Sequence, residues 1–431
     1  MTNQGANKAM TPTTRNALRT IAVLTALSLS ATMAPAARAA TKAKAKLTPS
    51  NNFPTLKPAK GAVFTIGMTN TEGAAGGLDY PEIRTFAQSA VDYLNKRGGM
   101  GGRKIKLEAC VVKASPETSA ACAQELVGKK VDAILLGLDI FPGYATYDAA
   151  GIPVFGVLPI LPGDYTAKAV LFGGGNATSM AITAAAAKIH YKAKNVGILA
   201  ADNPGTAGTV AALEGALKKA GINFKTVKGG DNETDAGYQG LMREASKDNP
   251  EVLISLYGDA GCIGTIRGRA SLGIKIPVLS TIICAGTNVR AAAGDDLLGW
   301  AFPGAQTDQL TPERAILQAI TAPVRKVKPA EIDPGALGLG VLGVQGIMTM
   351  AEHANRMSAK KIKVTGPSLF SFFQTVRGTT AWPNQAKLEC GAVPAYPAVC
   401  AFSFPVGEYT KDGKITTIPG LESVDVKAYL P

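Results

Sequence analysis

Residues 93–112 read YLNKRGGMGGRKIKLEACVV, and the order of features within them decides the fold. Leu94 closes an amphipathic pattern in which Ile83, Phe86, Ala90 and Val91 recur at helical spacing. Gly98 and Gly99 then suit a helix stop, and Ile105, Leu107 and Ala109 alternate as a strand does. The order is helix, glycines, strand. A phosphate-gripping loop needs the reverse order, because its amides must open the amino end of a helix. The glycines are therefore a corner, and Arg97, Arg103 and Lys104 are expected to form its solvated rim.

Working outward, short Val-, Ile- and Leu-rich runs alternate with amphipathic stretches: VFTIGM, IKLEACVV, AILLGL, PVFGV, VGILAA, VLISLY and VLSTII. Strand and helix alternate as in parallel α/β sheets. The alternation occurs twice, over Val63–Val157 and Val196–Phe302, with the Gly-rich FGGGNATS between, so two similar lobes are expected. Residues 312–376 read as helices, and the tail turns β-like, with Asp412-Gly413 as a hairpin turn.

The net charge of +13 first suggests a nucleic-acid partner, but nine of those charges lie in residues 1–60, which hold no acid. The remainder is an ordinary surface balance, and no nucleic-acid partner is expected. Lys8, Arg15 and Arg19, the apolar run Ile21–Leu29 and Ala37-Arg38-Ala39 form a secretory signal with cleavage after Ala39. The run is shorter than the roughly 20 apolar residues a membrane span needs. Residues 40–60 read as a basic flexible linker, and no cysteine follows the apolar run to carry a lipid anchor. Export to a periplasmic or extracellular space is expected, where cysteines oxidise. Sequential pairing gives Cys110 with Cys122, Cys262 with Cys284 and Cys390 with Cys400, each closing a modest loop.

Enzymatic signatures are thin. Gly338, Gly340 and Gly343 spell GxGxxG without a preceding strand, which reads as a helix face packing closely on a neighbour. Ser358–Lys361 matches S-x-x-K without its companion motifs. His190 and His353 fall in helical segments, no G-x-S-x-G occurs, and no metal or cofactor site is expected. Ligands of open parallel sheets bind beyond the carboxyl ends of strands. The candidates are therefore Thr69, Asn70, Thr71, Asp139, Ile140, Phe141, Leu158, Pro159 and Ile160 in the first lobe. In the second they are Asn203, Gly205, Thr206, Tyr257, Asp259 and Ile283.

The series TFAQSAVDYLNKRGGMGGRKIKLEACVV, SPETSAACAQELVGKKVDAILLG and GIPVFGV resembles the type I periplasmic solute-binding proteins of ABC importers, in particular the group that binds leucine, isoleucine and valine. Asn95, Gly98, Gly99 and Gly102 stand as in that group's turn, and LEGALKKAGINF and RASLGIKIPVLST continue the likeness. The resemblance implies two Rossmann-like lobes joined by three crossings near Gly173, Phe302 and Val376. The first would comprise 61–172 and 303–376, the second 173–302 and 377–431. It also implies a hinge that closes on a small molecule, a membrane ABC permease as partner, and a monomer. Amino-acid-binding members grip their ligand with hydroxyls at the third and fourth strand exits and with an acid of the second lobe. Here those turns read GLDIFPG, GVLPILP and STIICAG. The expected ligand is therefore a largely apolar or aromatic solute rather than free leucine. A ligand-sensing module of a signalling system and a secreted α/β enzyme are the other classes compatible with the sequence.

Overall fold

The computed structural model describes residues 58–74, 79–305, 312–332, 337–382 and 387–431, with the side chains at 204, 205, 259 and 380 left aside. The signal expected at 1–39 and the linker expected from residue 40 lie outside the described residues as far as residue 57. Among those described, no helix is long and apolar enough to cross a membrane.

The first sheet comprises β1 (Gly61–Thr71), β2 (Arg103–Val112), β3 (Ala133–Leu136), β4 (Val154–Gly156) and β5 (Ala169–Leu171). Its order is β2-β1-β3-β4-β5 and every pairing is parallel. Between its strands run α1 (Pro81–Asn95), α2 (Pro116–Gly128), α3 (Tyr144–Ala149) and the short α4 (Pro162–Thr166). The chain then leaves through α5 (Gly175–Ile189) for a second unit built from β6 (Asn195–Ala201), α6 (Pro204–Ala220), β7 (Asn223–Gly229), α7 (Asp235–Ala245), β8 (Val252–Leu256), α8 (Asp259–Ser271), β9 (Val278–Ser280), α9 (Thr287–Ala293) and β10 (Trp300–Pro303). Three helices follow, α10 (Pro312–Arg325), α11 (Gly340–Ala359) and α12 (Gly366–Gln374), and then the tail strands β11 (Thr379–Thr380), β12 (Lys387–Leu388), β13 (Ser403–Phe404), β14 (Val406–Tyr409), β15 (Ile415–Thr417) and β16 (Val424–Asp425). The second sheet has the order β15-β14-β10-β9-β8-β6-β7, parallel except where the tail hairpin joins β10. This is the two-lobed α/β architecture that the alternation predicts.

Burial explains the layering. Along β6, Ile198 and Ala200 enter one apolar core while Leu199 and Ala201 enter another. Successive side chains of a strand point to opposite faces, so helices must cover both sides of this sheet. In the first unit, Phe64, Ile66 and Met68 of β1 share a core with Phe86 and Leu94 of α1 and with Val344, Ile347 and Met348 of α11. Residues after β10 thus return to the first core. In the tail, Ala381, Trp382, Leu388 and Cys390 also pack there, whereas Phe402, Val406 and Ile418 belong to the second.

The GxGxxG segment opens α11, where a Cβ at Gly343 would stand 2.0 Å from the Ile83 carbonyl oxygen. The glycine serves close helix packing. The opening stretch is likewise a corner: Gly98, Gly99, Gly101 and Gly102 all have positive φ, and the Gly99 amide donates back to Leu94 at 2.8 Å. Its arginines are not the solvated rim the sequence suggested. Arg103 donates to the Val364 and Ala62 carbonyls at 2.8 and 3.1 Å and lies over the Phe64 ring, and Arg97 stacks on Tyr93. A guanidinium carries five donors and a flat apolar face, so it staples a corner while remaining charged.

Further differences concern strands. VLSTII stops being a strand at Ser280, and Ile282–Ala285 form a 3₁₀ turn. The sequence pattern does not single out β5, β7, β10 or the two-residue strands β11, β12 and β16; β7 is a sheet edge whose Lys225 and Lys228 obscure its alternation. The three cysteine pairs form as expected, linking Cys110 to Cys122, Cys262 to Cys284 and Cys390 to Cys400.

Candidate functional site

Parallel strands end on one edge of each sheet, so the exits predicted from sequence gather at the carboxyl edges. Their side chains behave differently from one another. In the first lobe, Thr69, Asn70 and Thr71 are fully buried. Asn70 accepts from the Leu138 amide at 3.1 Å and donates to the Tyr80 carbonyl at 2.8 Å; the Thr71 hydroxyl donates to the Leu138 carbonyl at 2.6 Å. These two bind the exit of β1 to that of β3. The Thr69 hydroxyl is buried without a hydrogen-bond partner, close enough to Asp139 to favour its charged form.

Asp139, 3% exposed, also turns inward. One carboxylate oxygen accepts from the Ser119 hydroxyl at 2.7 Å and from the Phe141 amide at 3.1 Å; the other has no partner. Burial is the largest influence on its pKa and raises it above the usual carboxylate range, outweighing the hydrogen bonds. A second buried acid shapes the next loop. Asp164, on α4, accepts from the Ile160 and Leu161 amides at 2.6 and 2.8 Å and from the Tyr144 hydroxyl at 3.0 Å. Burial, together with these carboxylates, pushes the Tyr144 phenol well above its ordinary pKa, and the nearby Tyr147 phenol rises in the same way.

With the polar groups drawn inward, the loops present apolar ones. Phe141 and Leu161 are each 37% exposed, and Leu158 and Ile160 are half-buried against the first core with Pro159 buried between them. Ile140 is half-buried.

In the second lobe, Asn203 is the cap of α6: it accepts from the Thr206 amide at 2.8 Å and donates to Asp231 at 2.7 Å. The Thr206 amide is therefore already occupied. Tyr257 is buried, its ring edge-on to Tyr238 at 5.8 Å and its hydroxyl without a partner. Gly205 stands in the first turn of α6 with nothing described beyond its backbone, and the Asp259 side chain lies outside the described residues. Ile283 is 50% exposed on the turn after β9, and its neighbour Ile282 is 57% exposed. Cys284, next in line, is bonded to Cys262 of α8, so the turn that displays both isoleucines is tied covalently to a helix.

The sequence reading missed Leu161, Ile282, Asp164, Ser119 and Tyr144. A signal existed for Asp164, because LPGDYT places Pro first and an acid third in a short helix. A groove of about 340 Å³ bordered by Val131, Asp132, Ile152 and Gly366 lies at the opposite end of β3 and β4. It is at the wrong end of the strands for a ligand of such a sheet. Among the described residues, no group of acids, cysteines and histidines is placed to hold a metal ion.

Residues 63–383 match the family model described as periplasmic binding protein. The chain belongs to the periplasmic binding protein family. Solved structures agree on the fold. An ABC transporter substrate-binding protein from Sphaerobacter thermophilus superposes with a TM-score of 0.64 at 17% identity, covering 84% of this chain and 99% of that one. A branched-chain amino acid ABC transporter protein from Thermus thermophilus with bound valine gives 0.63 at 12% identity, covering 86% and 98%. A solute-binding protein from R. palustris in complex with benzoate gives 0.54 at 15% identity, covering 85% and 99%. No curated protein sequence matches significantly. This member of the family is a solute-binding receptor of the type I fold, with its candidate site at the strand exits.

Proposed function

We propose that the protein is exported, captures a small apolar or aromatic solute between its two lobes, and delivers it to an ABC permease. The observation that carries this reading is the exposure of Phe141, Leu161, Ile282 and Ile283 at exits where Asn70, Thr71 and Asn203 are already engaged with the backbone and Thr69, Asp139 and Tyr257 are buried. A zwitterionic amino acid needs partners for both charged ends, and each buried polar group left unpaired costs on the order of 1 to 3 kcal/mol. Two such losses remove much of a micromolar affinity, which is only about 8 kcal/mol. An aromatic monoacid has one charged end to satisfy rather than two, and its ring gains from covering these side chains, at roughly 25 cal/mol per Å² of apolar surface removed from water. The benzoate complex of the R. palustris neighbour is consistent with an aromatic solute on this fold.

The basic, apolar and A-x-A succession ending at Ala39 supports export, which sequencing of the mature amino terminus tests. Isothermal titration with benzoate, leucine, isoleucine and valine tests the ligand class. Tight benzoate binding with weak leucine binding is the expected result; micromolar leucine binding overturns it.

A further inference from the structure

The short helix α4 carries two adjacent side chains with different attachments. Asp164 holds the Ile160 and Leu161 amides of the exit loop. Tyr165, rotated by about 100° around the helix, reaches the other way. Its hydroxyl oxygen accepts from the Ala177 amide in the first turn of α5 at 3.3 Å, and its ring packs edge-on against Tyr396 at 5.4 Å. Its own carbonyl accepts from the Ala398 amide at 3.2 Å. Tyr165 and Tyr396 both pack on the second lobe's core, although α4 follows a strand of the first sheet. The crossing itself lies against the same loop: a Cβ at Gly173 would meet the Val157 carbonyl, and one at Gly175 the Pro159 carbonyl, each at 2.3 Å.

We propose that Tyr165 is a positioning residue that couples the exit loop at 158–161 to the first helix of the second lobe. Resting on the solute-capture reading above, a solute seated against Ile160 and Leu161 displaces α4 as a unit, and Tyr165 passes that displacement to α5. Ligand binding can shift lobe orientation only through contacts that differ between the two orientations. The Tyr165 to Ala177 bond joins elements of different lobes and is such a contact.

The test is the distribution of inter-lobe distances, measured by single-molecule energy transfer between dyes at positions 106 and 219, exposed on different lobes. Tyr165→Phe keeps the ring against Tyr396 and removes only the hydroxyl. In the ligand-free protein it should change the ratio of the two orientations by roughly two- to tenfold, the size of one net hydrogen bond. Tyr165→Leu, which also removes the ring, should shift the ratio further. Tyr396→Phe should leave it unchanged, because the Tyr396 hydroxyl bonds Pro431 and not α5. Melting curves confirm that each variant is folded. A Tyr165→Phe distribution superimposable on the wild type overturns the proposal. Wild-type distances that ignore saturating benzoate and isoleucine instead count against solute capture, and the ligand-free comparison still decides the role of Tyr165.

Discussion

The two lobes hold the same kind of surface in place by different chemistry. At the first lobe's exits, Phe141 and Leu161 stand on loops whose amides are gathered by the buried carboxylates of Asp139 and Asp164. At the second lobe's exit after β9, Ile282 and Ile283 stand on a turn anchored by the disulfide from Cys284 to Cys262. A carboxylate accepting several backbone donors fixes a loop only while the site stays dry and the group stays bonded. A covalent link imposes no such condition and restricts the unfolded chain as well. The difference means that the two walls should fail under different insults.

The largest expected effect is on the first lobe. Asp164→Ala leaves two loop amides and the Tyr144 hydroxyl without their acceptor. At on the order of 1 to 3 kcal/mol per unpaired buried group, partly relieved by water, the loss should be about 4 kcal/mol in urea unfolding. A loss below about 1 kcal/mol would mean that the loop does not depend on Asp164.

The corresponding break in the second lobe is the Cys262→Ala/Cys284→Ala double variant. Its sequence separation of 22 residues corresponds to about 3 kcal/mol in the chain-entropy account. A loss below about 1 kcal/mol in urea unfolding would mean that packing, not the disulfide, holds the turn. Non-additivity between the Asp164 and cysteine changes would show that the walls are one cooperative unit.

Smaller still is the effect of the displayed side chains themselves. Phe141→Ser and Ile283→Ser should each weaken binding of an aromatic probe such as benzoate by about 1 kcal/mol, roughly fivefold in Kd, since each buries only part of its surface. Because both are already partly in water, stability should change by no more than about 0.5 kcal/mol. A large stability loss with unchanged affinity would reassign them to packing.

Much of this molecule was legible in the sequence because it depends on local order. The helix, glycine corner and strand of residues 81–112, the alternation that builds both sheets and the helical run at 312–376 all follow from periodicity and turn chemistry. The site was legible only as a set of exits. Whether Asn70 faces a ligand or the Leu138 amide is a rotamer decided by a neighbouring strand, 68 residues away in sequence. The same holds for Asp139, which reads as a candidate ligand group and is instead bonded to Ser119 of α2. Ile283 was legible as apolar, but its exposure depends on β9 ending early and on the turn that replaces it.

The smallest effect concerns protons, and it separates the two walls most cleanly. Asp139 has its pKa raised from the ordinary 3.8, chiefly by burial, with Asp164 adding repulsion and Ser119, Thr69 and the Phe141 amide pulling the other way. A carboxyl raised in the native state keeps its proton over a pH range where the unfolded chain has released it. The native state then binds more protons, so its stability falls as pH rises from about 3.8 through the native pKa, and is constant above it. Asn at this position cannot ionise, yet its carbonyl oxygen can still accept from Ser119 and Phe141. The stability of Asp139→Asn relative to wild type should therefore rise with pH across that window and then level off, in urea midpoints collected from pH 3 to about pH 8. The Tyr144 and Tyr147 phenols near this carboxyl are held neutral throughout by their raised pKa values, so they do not contribute to the slope. A relative stability that falls as pH rises would show that hydrogen bonding, not burial, governs Asp139. The cysteine double variant provides the contrast, since a disulfide neither binds nor releases a proton over this range and its stability difference should be flat.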